Sequence, residues 1–262
     1  MRLPALILLI AGFSPAAAAP LSGVIAAHHA LYKLTLKSSN DQGVLAASGE
    51  MTYDVDDGCT GWTTAQHLSI HMTDRDGKDV ETVSDYATFE SKDGTHLSFH
   101  TRQASGTETT EALDGTAVLD RSGGRGHADF TAPERKRVAL PPGTMLPTAH
   151  TVAILQAGHA GKRFLSMPLF DGTGVAGAQD TFVTIEGWQK PHPEKWTSLS
   201  NLPSGRVHVA FFDRDDTSEE PDYEIGMRYF DNGVADELAM NFGDFVMDGK
   251  LAQFEIEGVP RC

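Results

Sequence analysis

Histidine and carboxylate are the side chains of this sequence with the most chemistry to offer. Of eleven histidines, four form i, i+4 pairs: His67 with His71, and His96 with His100. In a strand that spacing keeps a pair on one face but about 13 Å apart, too far for both to hold one ion. Neighbouring strands could bring a member of one pair beside a member of the other and so build a metal site. The competing reading is a polar, solvated sheet face, and it is the one adopted. No HExxH motif and no cysteine–histidine cluster of zinc spacing is present. The densest acidic run, "DRDDTSEEPD" from Asp213 to Asp222, could bind calcium but lacks the EF-hand order of ligands, glycine and closing glutamate. A solvated hairpin loop is the simpler expectation. No GxSxG elbow offers a nucleophile, and carboxylates suited to glycoside hydrolysis occur without a distinguishing context. The expectation is a protein with no catalytic residues, no metal and no cofactor, and therefore not an enzyme.

The two cysteines, Cys59 and the final residue Cys262, carry a different message. The amino terminus reads MRLPALILLIAGFSPAAAAP, with Arg2 ahead of an apolar run and then a tract of small residues. That is the pattern of a cleaved secretory signal, here expected over residues 1–18. Its apolar run is too short for a membrane anchor. Export to an oxidising compartment makes an even number of distant cysteines read as a disulfide, Cys59 to Cys262. A redox or metal pair is the rival, and no CxxC spacing favours it. The formal charge of −15 argues against nucleic acid and anionic membrane surfaces as partners. No later segment is long and apolar enough to insert stably in a membrane.

These residues must be positioned mainly by strands. In "VLAASGEMTYDV", Leu45, Ala47, Met51, Tyr53 and Val55 share one face, and Ser48, Glu50, Thr52 and Asp54 the other. "GWTTAQHLSIHM" sets Trp62, Leu68, Ile70 and Met72 against Thr63, His67, Ser69 and His71. "THLSFHTR" does the same with Leu97 and Phe99 against His96, Ser98 and His100. Such period-two patterning marks half-buried strands. Asp76-Gly77, Asp93-Gly94, Asp114-Gly115, Asn232-Gly233 and Asp248-Gly249 are expected at hairpin turns, where positive φ is needed. One segment breaks the pattern: after "LPPGTMLP", Thr148 is the expected N-cap of a helix over about Ala149 to Ala160. Strands return from Gly205 onward, while the stretch from Gly115 to Arg137 is ambiguous. Trp62, Met72, Phe99, Trp188, Phe211, Met240 and Phe254 are expected in the core, where some could line a cavity. One helix in a strongly curved antiparallel sheet, a cup or incomplete barrel, satisfies all of this within a single domain over residues 19–262.

Several stretches together resemble a known family. They are "HHALYKLTL", "ASGEMTYDVDDGCTGW", "LPPGTMLPTAHTVAILQAG", "MPLFDG" and the carboxy-terminal meander ending in cysteine. The resemblance is to the EipB-like periplasmic cell-envelope integrity proteins, and it covers nearly the whole mature chain. It implies a broken β-spiral, a long antiparallel sheet coiled around a helix in the manner of lipoprotein-carrier folds. It also implies the Cys59–Cys262 disulfide and a role in the Gram-negative envelope, with no catalytic residues to transfer.

Three functions follow as expectations. The first is a periplasmic, non-enzymatic protein that maintains envelope integrity by binding an envelope lipid or glycan, or a periplasmic protein. The second is a soluble carrier of lipid or lipoprotein acyl chains, and the third, less favoured, an envelope-sugar hydrolase. A terminal cysteine is further expected to hold down the last strand of an otherwise open spiral.

Overall fold

The computed structural model describes residues 25–40, 43–214, 220–258 and 260–262. The expected signal segment, residues 1–18, lies outside them. The chain enters through β1 (His28–Ser39), β2 (Val44–Asp57), β3 (Gly61–Asp74), β4 (Asp79–Ser91), β5 (His96–Ser105), β6 (Glu108–Leu119), β7 (Gly126–Ala132) and β8 (Lys136–Leu140). Helix α1 (Pro147–His159) follows, and then β9 (Phe164–Leu169), β10 (Gln179–Gln189), β11 (Ser204–Phe212), β12 (Tyr223–Phe230), β13 (Ala235–Asn241) and β14 (Phe245–Ile256).

All the strands belong to one 14-stranded sheet of order β8-β7-β6-β5-β4-β3-β2-β1-β14-β13-β12-β11-β10-β9. Every neighbouring pair is antiparallel. The first and last strands pair in the middle, so the edges are β8 and β9. The sheet coils without closing into a barrel. An isolated parallel bridge, Met145 to Leu169, brings the chain after β8 beside the edge strand β9. Phe170 then inserts among the side chains of β5 to β8. Its ring meets Phe99 edge-on at 5.5 Å and Phe130 at 6.3 Å. The seam is therefore sealed by packing, not by a strand ladder.

Helix α1 covers the concave face. Ile154 and Ala157 join the large apolar cluster of β1–β3 and β10–β14, while Leu146, just before the helix, joins the smaller cluster around β5–β8. A helix apolar on most sides is one that is enclosed. At its carboxy-terminal end, Lys162 N–H bonds back to Ala157 O at 2.9 Å, past Gly161 at φ 69°, an ending that glycine favours.

Three expectations need correction. Thr148 is not the N-cap: Leu146 takes that position, with no side-chain cap, and Pro147 begins the helix. Proline lacks the N–H that the first turn leaves unpaired and already has helical φ. Leu45 does not point inward but is 66% exposed. A bulge between the Val44 and Ala46 pairings takes it out of phase with Met51, Tyr53 and Val55. Third, Asp76-Gly77, Asp93-Gly94 and Asn232-Gly233 do stand in hairpin turns, with the glycines at φ 78°, 65° and 81°, but the other two pairs lie within β6 and β14. There the glycine makes room. A Cβ on Gly115 would stand 2.5 Å from the Phe99 ring, and one on Gly249 would stand 2.9 Å from Leu34.

Candidate functional site

The sheet pattern that builds the fold also lays out an interior wall. Register aligns Tyr53 with Gln66, Gln66 with Tyr86, and Tyr86 with Thr101, in one row across β2, β3, β4 and β5. The next row along the same strands is Met51, Leu68, Ser84 and Gln103. Both rows face the helix, and between them and the opposite limb of the sheet lies a cavity of about 470 Å³. The opposite limb contributes Val209 and Phe211 from β11, Ile225 and Met227 from β12, and Leu238 and Met240 from β13. Small-molecule sites occupy roughly 300–1,000 Å³. The amides and most of the hydroxyls thus gather along the β2–β5 wall, and the opposite wall is mainly aliphatic and aromatic, with the phenols of Tyr223 and Tyr229 added from β12.

Two further elements close it. Helix α1 presents His150, Thr151 and Ile154. The turn after β9 presents Asp171 and Thr173, and is docked onto the polar wall through its backbone. Tyr86 Oη donates to Asp171 O at 3.0 Å, and Thr101 Oγ1 donates to Gly172 O at 3.2 Å. The Asp171 carboxylate accepts from Thr173 N at 3.0 Å and from Thr173 Oγ1 at 2.7 Å. Burial raises Asp171 above the usual carboxylate range, and these two bonds hold part of that rise in check. Burial likewise raises the phenols of Tyr53, Tyr86, Tyr223 and Tyr229, which all remain neutral donors.

Histidine reaches this site, but not through the i, i+4 pairs. His28 Nδ1 donates to Ala26 O at 2.8 Å, and burial lowers its basicity. His150 Nε2 donates to Thr181 Oγ1 at 3.0 Å, and Thr181 donates onward to Met167 O at 2.7 Å. Burial brings His150 down to about 4, so its ring is neutral. His67, His71 and His100 lie on the outer, exposed face instead. Each has a carboxylate beside it: Asp85 at 2.6 Å, Glu81 at 3.6 Å and Asp114 at 2.6 Å respectively. His96 meets the Thr95 hydroxyl at 2.7 Å. Strand order keeps the two pairs apart: β4 separates β3 from β5, leaving them about 10 Å apart across the sheet.

Glu90 was not singled out from sequence, yet it anchors the helix. It is 1% exposed, and its carboxylate accepts Thr148 N–H at 2.6 Å and Ala149 N–H at 3.0 Å. A carboxylate from β4 therefore does what an N-cap side chain would otherwise do. Burial pushes Glu90 up to about 7, against the pull of those bonds. No apolar phase in the sequence marks it: Ser84, Tyr86, Thr88 and Glu90 share the inward phase of β4. Gln66 shares the phase of Leu68 and Ile70, and Gln103 that of Leu97 and Phe99. A polar residue in an apolar phase marks an interior that is not simply core. Of the expected core residues, Phe211 and Met240 line the cavity, Trp62 and Phe99 are buried, and Met72, Trp188 and Phe254 are partly buried against the main cluster.

Cys59 and Cys262 form a disulfide with Cα atoms 5.8 Å apart. Cys59 occupies the β2–β3 turn, where Asp57 Oδ1 accepts its N–H at 2.9 Å. The bond does not secure an edge strand, because β14 is hydrogen-bonded on both sides, to β1 and β13. It ties the segment after β14 to that turn. Of the acidic run, residues 215–219 lie outside the described residues, so the calcium and hairpin readings do too. Its flanks are joined by Asp213 N–H donating to Asp222 Oδ2 at 2.6 Å. Among the described residues no helix is long and apolar enough to cross a membrane.

Comparison with known proteins agrees with this architecture. Over 253 residues the chain is 28% identical to the cell envelope integrity protein EipB of Brucella abortus (strain 2308), covering 94% of this chain and 89% of that protein. A crystal structure described as a beta-barrel-like protein of a domain of unknown function, also from Brucella abortus, superposes with a TM-score of 0.80 at 26% identity. It covers 89% of this chain and 99% of its own. The EipB-like family pattern matches residues 19–257, and with it spanning nearly the whole of a coiled sheet built around one helix, this chain belongs to the EipB-like family.

Proposed function

We propose that this protein supports cell-envelope integrity from the periplasm as a non-enzymatic binding protein, with the interior cavity as its binding site. The observation that carries the reading is the cavity itself: about 470 Å³ between a hydrogen-bonding wall and a mainly apolar one. An envelope role is supported by the name of the relative from Brucella abortus. Residence in an oxidising compartment is supported by the Cys59–Cys262 disulfide and by the export signal expected in residues 1–18.

A second reading, a carrier of lipid or lipoprotein acyl chains, is favoured by the apolar wall of Val209, Ile225, Leu238 and Met240. The two readings share the cavity and differ in whether the ligand is delivered elsewhere.

Complementation tests the shared part. In a strain lacking this protein, the wild-type chain is expected to restore growth on detergent. Met240→Trp, which fills the cavity, is expected not to do so while still accumulating in the periplasm. Overpacking costs about 1–3 kcal/mol, so the variant's melting curve must show a cooperatively folded protein. Full complementation by a folded Met240→Trp protein would remove the cavity from the account.

A further inference from the structure

The two walls differ in a way that specifies a ligand. The row Tyr53–Gln66–Tyr86, with Ser84 and Gln103 alongside, offers neutral amide, phenol and hydroxyl groups, the Tyr86 oxygen as an acceptor since its proton goes to Asp171 O. Among the described lining residues, the one acidic side chain is that of Asp171, on the same side through its turn's bonds to Tyr86 and Thr101. No lysine or arginine is found among them. The imidazoles of His28 and His150 are lowered by burial, so at neutral pH they offer no positive charge. Removing an anion from water without a counter-charge is costly, and placing it beside a carboxylate adds repulsion. Uncharged hydroxyls and amides lose far less on burial when they are hydrogen-bonded, and Gln66 and Gln103 each supply a donor and an acceptor.

We propose that the cavity selects amphiphiles with an uncharged, hydroxyl- or amide-bearing polar end, which lies along the Tyr53–Gln66–Tyr86 row with the hydrocarbon against β11–β13, and that it discriminates against anionic head groups. This rests on the cavity being the binding site, and it adds the chemical class of what binds there.

Three probes sharing a dodecyl-length chain and differing at the head separate the possibilities: monolaurin, laurate and dodecyltrimethylammonium. Each is titrated calorimetrically into the full mature protein at pH 7.5, below its micelle concentration. Monolaurin is expected to bind at least about tenfold more tightly than laurate. Gln103→Lys, at a partly exposed position on the same wall, is expected to raise laurate affinity by about tenfold in a protein of unchanged fold. Laurate equal to or tighter than monolaurin in the wild type would overturn the head-group assignment and leave the cavity reading standing. So would dodecyltrimethylammonium as the tightest of the three. Binding by none of them would overturn both.

Discussion

Glu90 and His150 are buried ionisable groups at opposite ends of one short piece of chemistry, the seating of α1 in the sheet. Glu90 is raised from 4.5 to about 7 by burial. A carboxyl group whose folded value is raised contributes stability that is complete below pH 4.5 and is lost as pH climbs through about 7. His150 is lowered from 6.5 to about 4 by burial. Its contribution is complete above pH 6.5 and is lost as pH falls through about 4. The two therefore oppose each other. Glu90→Gln should remove the first effect: between pH 4.5 and pH 8 the wild type should lose up to about 3 kcal/mol relative to the variant. Urea unfolding at the two pH values measures this difference, and parallel pH profiles for the two proteins would contradict it. The variant's absolute stability is a separate matter, since an amide leaves one helix N–H facing its own donor.

At the scale of elements, α1 is held at three places: Glu90 at its start, the main apolar cluster along its length, and Trp188 at its end. A Cβ on Gly158 would fall 2.5 Å from the Trp188 ring, and that indole is itself fixed by Nε1 donating to Asp231 Oδ1 at 2.5 Å. His159 reaches the same carboxylate at 2.8 Å. Gly158→Val should therefore cost about 3 kcal/mol through overpacking. Adding Trp188→Leu should recover part of that loss, because residues in contact do not act additively. Thermal unfolding of the two single variants and the double variant checks both statements.

Much of this level was legible in the sequence. Alternation in "GWTTAQHLSIHM" and "THLSFHTR" fixed which side chains turn inward, and the helix lies within two residues of its expected span. What period-two patterning did not mark was the cavity wall. Along β4 the inward residues are Ser84, Tyr86, Thr88 and Glu90, so hydropathy gives that strand no apolar side. A sheet that encloses a polar-walled cavity breaks the link between polarity and exposure on which the reading rests. Glu90 was illegible for a related reason: its partners are backbone N–H groups 58 and 59 positions away. Asp114-Gly115 and Asp248-Gly249 misled because glycine serves close packing as well as turns.

For the whole molecule, the sheet runs from edge β8 to edge β9 through the pairing of its first and last strands. Chain order within each limb is simple, and the strand ladder that joins the limbs is β1–β14. The Cys59–Cys262 bond reinforces that junction from outside by closing a loop of sequence separation 203. In the chain-entropy description such a closure is worth up to about 5 kcal/mol through the unfolded state. Cys262→Ser should accordingly lower the melting temperature under oxidising conditions and leave it unchanged from wild type under reducing ones. Equal melting of the two oxidised proteins would show that the bond adds nothing.

The central claim is that the space between the limbs holds a ligand in the envelope. Native mass spectrometry of mature protein, taken without detergent from the periplasm of its own source, tests this most directly. The account predicts a reproducible added mass that leaves on denaturation as a small amphiphile and is absent from Met240→Trp protein prepared in the same way. A bare mass for both proteins, or an adduct that Met240→Trp retains, would contradict it.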